Sequence, residues 1–283
     1  MQIVLGSAQL GNADYGLFNK KKITSLEIKK IEKLTSKYQI KFIDTAIKYG
    51  DSESIIGNSQ LNKLKIITKI KLIKTKNLKS WLNKEISSSL KKLKVNKIYA
   101  LLIHDYKDLM NYNGKKYLKH LYSFKKKGII QKIGISIYSP KELELIWKFW
   151  KPEIVQAPFN ILDQRLLDSG WIKTLKKFKT KIFVRSCFLQ GLLTNNYKSK
   201  LKFKEYYPIL NNFSNWCKKN SITNIKACLH FIKQFKKIDY LIVGFNDSQQ
   251  LEKILKNFKE KQILIPNKFS TKEIKLIDPR KWN

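Results

Sequence analysis

Arginine is nearly absent from this chain: Arg165, Arg185 and Arg280 are the only three among 58 basic residues, which leaves 55 lysines. Acids are scarce as well, 21 in all, so the formal net charge is +37. A nucleic-acid surface usually relies on arginine, whose planar fork grips phosphate and guanine at two points. The lysines instead run along the whole chain beside abundant Asn and Ile, residues with AT-rich codons, mostly in stretches that read as solvated helix faces. Composition bias is therefore the plain reading of the charge. A polyanionic surface and steering of an acidic substrate are the alternatives. No specific nucleic-acid partner is expected, since no recognition motif or basic-aromatic stripe is present.

Cysteine is scarce too. Cys187, Cys217 and Cys228 are too few and too irregularly spaced for a disulfide framework or a zinc site, so they read as reduced thiols and no metal is expected. No run of about 18 apolar residues offers a membrane span. The N-terminal MQIVLGSAQLG lacks the basic and apolar regions of a secretory signal, so a cytoplasmic protein is expected.

What the chain has is alternation. Apolar runs at Ile3–Ala8, Lys41–Ala46, Lys65–Ile70, Ile98–His104, Lys132–Tyr138, Ile154–Asn160, Lys181–Cys187 and Tyr240–Phe245 are each followed by a lysine-rich amphipathic stretch. The runs are continuous and β-branched rather than strictly alternating, as suits parallel strands buried on both faces. Eight β-then-α units within about 260 residues predict a closed (β/α)8 TIM barrel. No linker or composition break divides the chain, so one domain over 1–283 is expected, with a tail from about Gln262 folding back over the barrel.

In such a barrel, chemistry sits where the strands end. Strand two ends in Asp44, with Tyr49 five residues on; strand three carries Lys69; strand four runs into His104. Taken singly, each has a structural reading: a turn cap, a packing ring, one lysine among many, a satisfied core imidazole. Together they place an acid, a phenol, an ammonium and an imidazole on one rim. A lysine beside a phenol should lower the phenol's pKa and make it a general acid for a carbonyl oxygen. Asp44 would hold the lysine, and His104 would orient the carbonyl.

At these residues the sequence resembles the aldo-keto reductase family. Ile43–Gly57 (IDTAIKYGDSESIIG) is similar to the family's signature of aspartate, tyrosine and a Ser-Glu pair, and ITKI and LLIHD place Lys69 and His104 in order. GISIY, VQAPFNILDQR, VRSCFLQGLL and the segment from Leu241 follow in family order, so the resemblance covers essentially the whole chain. It implies a catalytic tetrad of Asp44, Tyr49, Lys69 and His104, with Tyr49 as proton donor, reducing an aldehyde or ketone at the expense of a nicotinamide dinucleotide.

It further implies that Ser136 and Gln156 hold the nicotinamide carboxamide, and that Ser186, Gln190, Gly191 and Leu192 cradle the pyrophosphate. Gly244, Asn246, Ser248 and Gln250 would hold the adenosine end. The sequence departs from the family pattern in three places. Ile137 stands where Asn is usual, and Arg185 stands where an aromatic stacks on the nicotinamide, a task a guanidinium can also perform. The loop GFNDSQQ carries no Lys or Arg for a 2′-phosphate. NADP is the expected cofactor, with NAD possible. Tyr15 and Phe159 are candidate substrate contacts, and Tyr106, Tyr112, Asn160 and Arg165 are neighbours with either a binding or a packing reading. The natural substrate is not identified by any motif. A non-catalytic barrel that keeps the cofactor site is the alternative function.

Overall fold

The computed structural model describes residues 1–11, 17, 23–111, 114–194 and 197–282. Eight strands close into a parallel barrel in chain order: β1 (Gln2–Gly6), β2 (Phe42–Asp44), β3 (Lys65–Ile70), β4 (Ile98–Ile103), β5 (Ile130–Ser136), β6 (Ile154–Pro158), β7 (Lys181–Arg185) and β8 (Tyr240–Val243), with β8 pairing back to β1. The helices are α1 (Ala8–Gly11), α2 (Ser25–Lys37), α3 (Ser52–Gly57), α4 (Leu78–Leu93), α5 (Tyr106–Asn111), α6 (Gly114–Lys126), α7 (Pro140–Trp147), α8 (Arg165–Asp168), α9 (Trp171–Lys177), α10 (Tyr207–Lys219), α11 (Asn224–Lys233), α12 (Ser248–Lys259) and α13 (Ile274–Ile277). The expected (β/α)8 barrel is the fold observed.

Sequence chemistry sets the helix starts. Thr24, Ser139, Thr223 and Asp247 each accept a hydrogen bond from an amide in the first turn they precede, and Pro140 opens α7, where its missing N–H costs nothing. Six of the eight strands stop two residues before the end of the apolar run that marks them. The residues beyond Gly6, Asp44, Arg185 and Val243 leave the sheet to build the loops of the rim.

Successive strand residues point to opposite faces of the sheet. One set packs outward against the helices and forms the large core that includes Leu5, Ile43, Ile103, Ile135, Val155, Val184 and Val243. The other fills the barrel interior with Val4, Phe42, Ile67, Ala100, Leu102, Ile154, Phe183 and Ile242. Beneath this layer Phe183 stacks on Tyr240 at 4.2 Å, and Phe42 meets Tyr99 and Tyr240 edge-on. The barrel axis is therefore a packed core, and only its C-terminal mouth is open to chemistry.

The segment after α12 lies across the helices. Ile263 N–H donates to His230 Nδ1, Thr271 N–H to the Leu162 carbonyl, and Phe269 packs edge-on against Phe213 and Trp216. Among the described residues no helix is long and apolar enough to cross a membrane.

Candidate active site

The two-residue period that fills the interior also builds the site. Two positions beyond the uppermost interior residue of each strand, with Gly134 in that place on β5, come Gly6, Asp44, Lys69, His104, Ser136, Gln156, Arg185 and Gly244. The mouth is thus a ring of polar side chains interrupted by two glycines on the adjacent strands β1 and β8. That gap opens into a cleft of about 980 Å³, open solvent included. Its walls include Ser7, Tyr49, Arg185, Gly191, Gly244 and Gln250.

Lys69 and Asp44 are almost fully buried and form an ion pair at 2.7 Å. The ammonium also donates to the Thr45 carbonyl at 2.8 Å, and Gln156 Nε2 donates to the other Asp44 oxygen at 2.7 Å. Both charges therefore have several partners, the condition under which a buried pair is tolerated. The pair lies below Tyr49: Lys69 Nζ is 5.1 Å from the centre of the Tyr49 ring, and the His104 ring meets that ring edge-on at 6.1 Å. The structure brings the four expected catalytic residues together.

The expected lowering of the Tyr49 pKa is reversed. Burial pushes the phenol well up, Asp44 adds to the rise, and Arg185 opposes both. Lys69 faces the Asp44 carboxylate and the flat of the ring, and burial of the phenol dominates. Tyr49 keeps its proton at neutral pH. Burial, with Lys69, Arg185, Lys48 and Lys71 around it, pushes His104 down to about 3, so the imidazole is neutral. Its Nδ1 is buried and has no hydrogen-bond partner among the described residues.

The loop that carries Tyr49 is held from behind. Ser52 Oγ bonds to Ser7 and Thr45, while Glu53 Oε1 accepts from Thr68 and Ser89 at 2.7 Å each. The Ser-Glu pair of the signature is thus a buried anchor that ties α3 to β1, β2, β3 and α4. Gly11 closes the same loop from α1: a Cβ on it would overlap the Tyr49 carbonyl and the Ser52 amide. G11A is therefore expected to displace the Tyr49 loop, costing about 1–3 kcal/mol of stability and lowering kcat more than it lowers cofactor affinity. A thermal melt alongside steady-state kinetics checks this, and an unaltered kcat would show that the loop does not depend on the contact.

Along the cleft, Ser186, Leu189, Gln190 and Gly191 all have positive φ, from 46° to 98°. The Leu189 and Gly191 amides donate to the Ser186 and Phe188 carbonyls, so these residues form a tight turn at the cleft wall, and glycine is the residue that takes φ near 98° without strain. Arg185, Ser186, Gln190, Gly191, Gly244, Asn246 and Gln250 line the cleft as expected from sequence. Ser136 and Gln156 are buried and paired across β5 and β6. Leu192 is fully buried, and Ser248 is buried with its amide donating to Glu27.

Phe159 lies outside this group. It is fully buried and packs on Phe231 and Phe235 at 5.6 and 5.0 Å, because its position on β6 points outward with Val155 and Ala157 rather than inward with Gln156. Tyr15 and Tyr112 fall outside the described residues. The sequence reading did not anticipate Ser7, Gln9 and Thr194, which also line the cleft, while Cys187 and Phe188 line it within the 186–192 loop that it did anticipate. It also omitted Gly6, which the inward period would have supplied.

The three arginines converge on one ring. Arg185 and Arg280 place their guanidinium carbons 4.2 Å from the centre of the Tyr138 ring, and Arg165 Nη2 donates to the Tyr138 carbonyl at 3.1 Å. Arg165 pairs with buried Asp163, and Arg280 with Asp278 and Glu142. Arg185 donates to the Ile137 carbonyl and to Ser186 Oγ. Stacking while donating in the plane is something lysine cannot do, and this explains why arginine survives here in a lysine-rich chain.

A parallel eight-stranded barrel with a protonated phenol over a buried Lys-Asp pair, at the head of a long cleft, defines a class of barrel enzymes that work at the strand C-termini. The chain belongs to the aldo/keto reductase family, whose model matches residues 2–278, and is accordingly an oxidoreductase. Among solved structures it is similar to an aldo-keto reductase of Bacillus halodurans in its holo form (16% identity, 93% of this chain and 88% of that one, TM-score 0.71). It is also similar to a glycerol dehydrogenase of Gluconobacter oxydans (18%, 93% and 87%, 0.68) and to a putative aldo-keto reductase of Pseudomona aeruginosa (16%, 90% and 88%, 0.67). Comparison with curated proteins returns no significant match.

Proposed function

We propose that this protein is an NAD(P)H-dependent carbonyl reductase of the cytoplasm that converts a small aldehyde or ketone to an alcohol. The observation that carries this reading is the protonated Tyr49 beside neutral His104, above the buried Lys69–Asp44 pair and at the end of the cleft. The cleft suits a dinucleotide: it runs from Tyr49 and Arg185 past Ser186, Gln190 and Gly191 to Asn246 and Gln250, and the glycines at 6 and 244 leave one side of its mouth without side chains. When bound, the reduced nicotinamide supplies a hydride to the carbonyl carbon.

The chain supplies the rest. Tyr49 gives its proton to the carbonyl oxygen, and Lys69, fixed by Asp44, lies against the face of its ring. His104, neutral, donates a hydrogen bond that orients the carbonyl rather than a proton. Ser136 and Gln156 hold the carboxamide, and Arg185, fixed on Tyr138, forms the wall against the ring. Three buried thiols, Cys187, Cys217 and Cys228, suit a reducing compartment.

The test is turnover of an aldehyde and ketone panel with reduced dinucleotide, followed by loss of nicotinamide absorbance from pH 5 to 9. Reduction is expected with no inflection near the usual histidine pKa of about 6.5, because His104 does not titrate in that window. Tight dinucleotide binding with no turnover of any carbonyl would instead favour a non-catalytic barrel.

A further inference from the structure

The cleft that begins at Tyr49 and Arg185 ends at Gly244, Asn246 and Gln250, at the head of α12. A helix start is ordinarily a welcoming place for phosphate, because its first amides have no partner within the helix. Here three of the amides around that start are taken. Ser248 N–H donates to Glu27 Oε2 at 2.8 Å, Gln250 N–H to Asp247 Oδ1 at 2.7 Å, and Asn246 N–H to the Gln250 side-chain oxygen at 2.7 Å. Two of the three acceptors are carboxylates. Glu27 comes from the first turn of α2, far away in sequence, and its other oxygen pairs with Lys30 at 2.8 Å. Hydrogen bonds from Lys30 and the Ser248 amide hold the Glu27 carboxyl down at about 2, so it is charged at every pH of interest.

The two nicotinamide dinucleotides differ at one group of the adenosine ribose, a 2′-hydroxyl or a 2′-phosphate. A carboxylate accepts a hydrogen bond from a hydroxyl, whereas it repels a phosphate dianion. We propose that the adenosine end of the cleft selects the unphosphorylated dinucleotide, with Glu27 and Asp247 as the residues that exclude a 2′-phosphate. This rests on the reading of the cleft as a dinucleotide site.

The experiment is a titration of the full chain with NADH and with NADPH, read by quenching of tryptophan fluorescence. It is run on the parent and on E27Q, D247N and the double variant. Glutamine and asparagine keep an oxygen acceptor for the helix amides while removing the charge, so α12 remains capped. The parent is expected to bind NADH at least about tenfold more tightly than NADPH, and the ratio should move toward NADPH by several-fold in each single variant and further in the double. Equal or tighter binding of NADPH by the parent, or a ratio unmoved in all three variants, overturns the selection while leaving the dinucleotide site in place. Failure of both dinucleotides to bind the parent overturns the reading of the cleft and the selection with it.

Discussion

Replacing Tyr49 by phenylalanine is expected to lower kcat at least about 100-fold, the scale of a lost general acid, with little effect on dinucleotide affinity. The substitution removes one oxygen and keeps the ring that rests over Lys69 and against His104. Burial holds the phenol protonated, so no other group at the mouth takes over: His104 is neutral and stays so down to about pH 3, and the Lys69 ammonium is directed at Asp44 and the Thr45 carbonyl. Stopped-flow single turnovers with saturating reduced dinucleotide read the chemical step directly. A rate for Y49F within a few-fold of the parent would remove Tyr49 from the role of proton donor.

The second large effect concerns stability. K69M is expected to destabilise the fold by about 3–5 kcal/mol, the usual result of stranding one partner of a buried ion pair, which corresponds to a drop in Tm of roughly 10 °C for a chain of this size. Asp44 would keep its bond from Gln156 and lose its counter-ion, with its carboxylate almost fully buried. Adding D44N to K69M should restore part of the loss, since the stranded charge disappears. Thermal melts of the two single variants and the double complete the cycle. Strict additivity would mean that the two groups do not stabilise one another.

Much of this molecule was legible because its strands are so regular. The eight apolar runs gave the barrel, and Asp44, Lys69 and His104 were visible as the polar ends of runs that otherwise contain Ile, Leu and Val. What failed was local. Phe159 was judged by its place at a strand end, when its phase relative to Gln156 already directed it outward to Phe231 and Phe235. The Tyr49 pKa was misjudged because sequence gives neighbours but not directions: Lys69 lies near the ring, with its charge turned to Asp44. Glu27 was invisible for a different reason. It is one acid in the first turn of an ordinary outer helix, and its contact with Ser248 spans nearly the whole chain, a pairing no local pattern encodes. The α5 helix was not anticipated either, because Tyr106–Asn111 offers too few positions for a helical period to emerge.

The sandwich of Tyr138 between Arg185 and Arg280 joins the reaction chamber to the last residues of the chain. Arg280 is bolted to Asp278 and Glu142, so a force on the C-terminal segment is transmitted through one aromatic ring to the guanidinium at the cleft wall. By linkage, any free energy that this stack couples between Arg185 and Arg280 acts equally in both directions. The C-terminal segment is thus fastened to the chamber wall through a single aromatic ring.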